Sequence, residues 1–165
     1  MSAGLRSLLL ATALALPAVA AAQGATFSTK NMTPETALKA AQAALAKCRA
    51  DGFQVTVAVV DRSGLTQVLL RDRFAGPHTV DVAANKAWTA VSFRTNSGEL
   101  EKMSRSGPMS GLRHFQRMVA VGGGMMIQAG GSLLGAIGVS GAPGGDADDA
   151  CAAAGIKAIA DELEF

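Results

Sequence analysis

Two histidines, two cysteines and a glycine-rich C-terminal third carry most of the chemistry available to this 165-residue chain. His78 stands in Gly76-Pro77-His78-Thr79, and His114 in Leu112-Arg113-His114-Phe115. Neither has a nucleophile placed with it, and no G-x-S-x-G elbow is present, so hydrolase chemistry has no support. Cys48 and Cys151 lie far apart, and with two isolated histidines they do not give zinc spacing. Gly135-x-x-Gly138-x-x-Gly141 is wrongly spaced for a dinucleotide fingerprint, and it falls in an apolar run instead of opening a helix. The corner Gly141 to Gly145 does lead into a helix start, a natural anion site. Asp146, Asp148 and Asp149 already bring negative charge there, and no Walker lysine follows. The corner therefore reads as structural. Valine at Gly141 or Gly144 is expected to unfold or misassemble the protein before it affects any ligand.

The elements that must position these residues follow from pattern. Thr33-Pro34-Glu35 opens a helix, with Thr33 as N-cap and Pro34 at the first helical position. Ala37, Leu38, Ala41, Ala44, Leu45 and Cys48 form its apolar face, and Asp51-Gly52 should end it. Val55 to Val60 reads as a buried strand, Asp61 to Gly64 as a turn, and Leu65 to Arg71 as the antiparallel partner. A second helix begins near His78 or Thr79, with Trp88 expected in the core. Ser97 to Ser104 forms a short helix capped by Ser97. Arg105 to Val119 is broken by Ser106-Gly107-Pro108, and Met109 to Phe115 is either loop or a helical turn. Val119 to Val121 reads as a short strand. Met125 to Gln128 and Leu133 to Ser140 form a hairpin around Ala129-Gly130-Gly131. A last helix follows, with Asp146 as N-cap. This pattern is an α+β domain around a mainly antiparallel sheet.

The N-terminus has the form of an export signal. Arg6 supplies the charge, Leu8 to Ala15 the apolar core, and Ala20-Ala21-Ala22 the cleavage site. The expected division is residues 1–22 as signal peptide, 23–32 as a short lead-in, and 33–165 as one domain. The apolar run is shorter than the roughly 20 residues a membrane span needs, so stable membrane insertion is not expected. A periplasmic or secreted location follows. With 15 Lys and Arg against 13 Asp and Glu, and no tyrosine, the chain is nearly neutral. It lacks the clustered basic surface that nucleic-acid binding requires.

Three stretches in order, VTVAVVDRSG at Val55 to Gly64, AANKAWTAVSFR at Ala83 to Arg94 and GVSGAPGGDADDACAAAGI at Gly138 to Ile156, resemble the GlcG/HbpS family of small haem-binding and haem-interacting proteins. The resemblance implies a profilin-like arrangement of about five strands with helices packed on the faces of the sheet. It also implies haem as cofactor and assembly as a homo-oligomer. Haem requires an axial ligand, an apolar slot and partners for its propionates. His78, at a loop-to-helix junction, is the leading axial candidate, with capping of its helix as the competing reading. Arg71, Arg73 and Lys86 lie nearby in sequence as carboxylate partners. His114 is either a second ligand, a pocket residue or a surface histidine. Export permits a disulfide between Cys48 and Cys151 if their helices pack antiparallel, as related folds suggest. The alanines around both favour two small buried residues instead.

The expected function is an exported protein that sequesters or presents haem. One alternative is a haem-dependent enzyme, a weak peroxidase or a haem-degrading activity, with His114 or Arg113 beside an open iron position. The other is a small-metabolite-binding or assembly module without haem.

Overall fold

The computed structural model of the protein describes residues 24–163, so the expected export signal lies outside the described residues. Helix α1, Pro34–Ala50, starts as its sequence requires: Thr33 Oγ1 accepts from the Thr36 amide at 3.2 Å. Its buried face consists mostly of alanines, with Leu45 and Cys48. Strands β1, Thr56–Asp61, and β2, Thr66–Arg71, form the expected antiparallel pair. Helix α2, Thr79–Phe93, and the short α3, Ser97–Met103, follow. A 3₁₀ turn, Gly107–His114, leads to β3, Gly124–Ala129, and β4, Ser132–Ser140. Helix α4, Gly145–Ile159, and a single 3₁₀ turn, Ala160–Glu162, complete the described chain.

The strands form one antiparallel sheet in the order β2-β1-β4-β3. β1 pairs with β4 from Thr56↔Ser140 to Asp61↔Gly135. Alternate residues serve two cores. Val57, Val59, Ile137 and Val139 pack beneath α1 and α4, while Val60 and Ala136 meet Ala87, Ala90 and Val91 of α2. Gly138 allows α2 to lie close on the sheet: a Cβ there would stand 2.0 Å from the Ala83 carbonyl oxygen. The helix backbone occupies the space a side chain would take.

Several details differ from the sequence reading. Among the described residues the sheet has four strands, not about five. Residues 119–121 run along helices instead of pairing as a strand: the Val119 amide donates to Thr89 Oγ1 at 3.0 Å, and the Val121 carbonyl accepts from Ser97 Oγ at 2.7 Å. Trp88 is only half-buried. It sits edge-on to Phe93 with centroids 6.4 Å apart, and the Arg117 guanidinium lies 4.8 Å above its ring. Asp146 does not cap α4; Gly144 holds that position without a side-chain cap. Finally, Cys48 and Cys151 are bonded, with Cα atoms 5.5 Å apart, and the bridge joins α1 to α4. Both are fully buried, as the alanine-rich surroundings indicated, but close helix packing also brings the sulfurs together.

Candidate functional site

The loop that presents His78 is fixed at nearly every residue. Asp72, only 1 % exposed, takes two bonds from Arg49 of α1, from Nε at 2.8 Å and Nη2 at 3.0 Å. That guanidinium holds the Asp72 carboxyl below its usual range, against the opposing effect of burial. Arg71 donates to the Ala75 carbonyl, and the Ala75 amide donates to the Asp72 carbonyl at 3.1 Å. Thr79, buried, bonds the Gly76 carbonyl at 2.6 Å and Thr56 Oγ1 of β1 at 2.7 Å. His78 stands between these anchors.

The imidazole itself is exposed and makes no capping bond to α2. It lies against Gly76, where a Cβ would come within 2.7 Å of Cε1. A glycine at this position thus leaves a seat for the ring. No hydrogen-bond partner holds either ring nitrogen among the described residues. The capping reading of His78 gives way to that of a histidine whose nitrogens are available.

His78 borders an open cavity of about 610 Å³, within the usual range for small-molecule sites. Phe53, Phe74, Val82, Val119 and Val121 supply apolar wall, and the corner 141–145 closes one side. Phe74 is 79 % exposed beside it, an unusual position for so large an apolar side chain. At the inner end are Lys86 and Asp148, their side chains both 4 % exposed, with Nζ and Oδ2 2.7 Å apart. Lys86 also donates to the Val139 carbonyl at 3.0 Å, and Asp148 Oδ1 accepts from the Ala142 amide at 3.1 Å. Burial pushes the Asp148 carboxyl up, with Lys86 opposing that shift.

The structure therefore brings His78 and Lys86 to one cavity, and leaves Arg71, Arg73 and His114 outside its lining. Arg71 braces the loop. Arg73 is exposed, and its backbone amide, not its guanidinium, bonds Asp72 at 2.8 Å. His114 is exposed at the end of the 3₁₀ turn, while Arg113 is spent on the carbonyls of Ser104 and Glu101 at 2.9 and 3.0 Å. Neither stands beside the cavity as a distal group. Lys86 is not a free cation, because its charge is already matched by Asp148. Sequence reading missed Asp148 as Lys86's partner and Phe74 as cavity wall. A signal for the first was present: a lysine among the alanines of an apolar helix face needs a buried counter-charge.

The HbpS-like family, described as haem-degrading protein HbpS-like, matches residues 32–157. Among solved structures, a double mutant of HbpS from Streptomyces reticuli is 40% identical. That match covers 87% of this chain and 97% of that one, with a TM-score of 0.77. A PduOC:heme complex is 30% identical, covering 78% of this chain and 95% of that one, with a TM-score of 0.74. An uncharacterised 15.0 kDa protein of the dhaT-dhaS intergenic region of Citrobacter freundii is 35% identical over 113 residues, 67% of this chain and 80% of that protein. With a match that takes in both strand pairs, the His78 loop and nearly all of α4, the chain belongs to the HbpS-like family.

Proposed function

We propose that the protein binds haem in the His78 cavity and sequesters or presents it, as an exported homo-oligomer. The observation that carries this reading is an imidazole without a hydrogen-bond partner among the described residues, seated on Gly76 at the border of a cavity of about 610 Å³ with apolar walls. The chemistry of the donor set fits the group: a neutral imidazole suits iron, and apolar walls suit a porphyrin face. The fit is incomplete at the carboxylates. Lys86 is the basic residue in the lining, and it is paired with Asp148. The solvent-open mouth is then the place for the propionates, where water can solvate them.

Bound haem would supply a redox-active iron centre. The chain's own residues contribute position and shelter: the Asp72–Arg49 pair and Thr79 hold the loop, His78 offers the ligand, and Phe53, Val82 and Val119 keep water from the face. The binding reading is favoured over an enzyme because neither Arg113 nor His114, the expected distal groups, lines the cavity. The oligomeric part is supported by apolar side chains left at the surface, including Leu65 at 66 % and Phe115 at 57 % exposed. The export part rests on the signal-like N-terminus.

Hemin titration of the purified protein tests the central claim. His78→Ala is expected to weaken binding about tenfold or more and to shift the Soret maximum, since an axial bond is lost. His114→Ala is expected to leave both unchanged. Unaltered affinity and spectrum in a folded His78→Ala protein would remove His78 as the ligand.

A further inference from the structure

Lys86 and Asp148 are an unusual way to line a cavity. A buried ion pair is weak evidence for stability, because an apolar pair of similar volume often does as well. What this pair does that an apolar pair would not is hold a backbone amide. Lys86 of α2 bonds Asp148 Oδ2 and the Val139 carbonyl near the end of β4. The other carboxylate oxygen, Oδ1, takes the Ala142 amide at 3.1 Å. Ala142 belongs to the corner 141–145 that walls the cavity. The pair thus ties α2, the end of β4 and the corner together.

We infer that Asp148 is a latch on the cavity wall: charged and paired with Lys86 it holds Ala142 in place, and losing its charge frees the wall and releases the ligand. Haem as that ligand rests on the reading above, whereas the behaviour of the wall does not. The charged groups acting on Asp148 are Lys86 of α2 and Asp149 of its own helix. β4 and the corner face it with backbone. The end of α1, joined to α4 at Cys48–Cys151, carries Lys47, Arg49 and Asp51; Lys47 and Asp51 pair with each other, and Arg49 pairs with Asp72. His78 stands on the cavity lining with Asp148. Burial raises the Asp148 carboxyl, so the folded chain takes up this proton more readily than the unfolded one. As pH falls through the raised value towards the ordinary carboxylate range, the fold gains stability relative to the unfolded chain from this group. Loss of the charge is felt first at Ala142 and at Lys86, whose buried ammonium is left without its counter-charge.

Hydrogen exchange at the Ala142 amide, expressed as a protection factor, reads the latch without any ligand. In the wild-type protein, protection should fall about tenfold between neutral pH and acidic solution as the bond loses its charge assistance, while Val57 and Val59 in β1 stay protected. The double variant K86M/D148N keeps an acceptor oxygen for Ala142 but carries neither charge, and its protection should be the same at both pH values. Release of hemin to excess apo-globin should accelerate on acidification about tenfold more in wild type than in the double variant, since the two proteins differ only at this pair. Ala142 protection that does not change with pH in folded wild type overturns the latch, and so does an equal change in the double variant. Equal acceleration of hemin release in both proteins overturns its role in retention. If the double variant does not fold, the wild-type exchange profile decides alone. A protein that takes up no hemin defeats the haem reading and leaves the Ala142 measurement intact.

Discussion

At Asp72 a carboxylate almost wholly withdrawn from water stays charged because a guanidinium reaches it from a neighbouring helix. Arg49 remains half in solvent, with its side chain 50% exposed, so screening limits what the pair contributes. Removing the charge still leaves a buried acceptor poorly matched and the His78 loop without its brace. Asp72→Asn is expected to lower stability by about 1–2 kcal/mol at neutral pH, read by urea unfolding. The sign with pH follows from the depressed carboxyl: its contribution is full above the ordinary carboxylate value and is lost as pH falls through the lower folded value. Wild type and variant should therefore converge in strongly acidic solution. A gap that persists there would show that the pair acts through packing, not charge. Asp72 is not legible in the sequence as a brace, because its partner lies 23 residues away on another element. His78 is legible, because Gly-Pro before a helix marks a constrained junction, and local text carries that information.

The corner between β4 and α4 separates two glycines that look alike in sequence. Gly141 has φ of +130°, and a Cβ there would meet the Gln54 carbonyl oxygen at 2.6 Å. Gly144 is extended at φ of −164°, with nothing within 4 Å of a Cβ. Gly141→Val should cost about 3 kcal/mol or more and lower the melting temperature markedly, from backbone strain and collision together. Gly144→Val should melt close to wild type, which corrects the expectation that either glycine is indispensable. Equal melting temperatures for the two variants would refute the distinction. Elements with strong local signals, such as α1 behind Thr33-Pro34 and the hairpin at Gly130-Gly131, lie within a residue or two of where the sequence places them. Residues 119–121 do not, because their apolar pattern suits a strand, and only the tertiary bonds to Thr89 and Ser97 reveal another course. Asp148 is similar. Near a helix start it reads as a dipole complement, and only folding brings Lys86 across the cavity to meet it.

For the molecule as a whole, the bridge between α1 and α4 closes a loop with a sequence separation of 103, spanning every strand and the cavity. Constraining so long a loop stabilises by about 4 kcal/mol in the chain-entropy description, and the double variant C48A/C151A should lose stability on that order in urea. Between the two cysteines lies the 3₁₀ turn Gly107–His114, which buries no residue and is the kind of segment proteases cut first. Cleavage there divides the polypeptide into two pieces that remain covalently one body. Limited trypsin digestion should produce a species that migrates intact on a non-reducing gel and as two fragments after reduction. The sheet and both helical layers would persist in the nicked protein, since neither the strand pairing nor the α1–α4 packing runs through the cut. Backbone continuity and structural integrity are thus separable here. A chain built this way outlasts its first encounter with a protease.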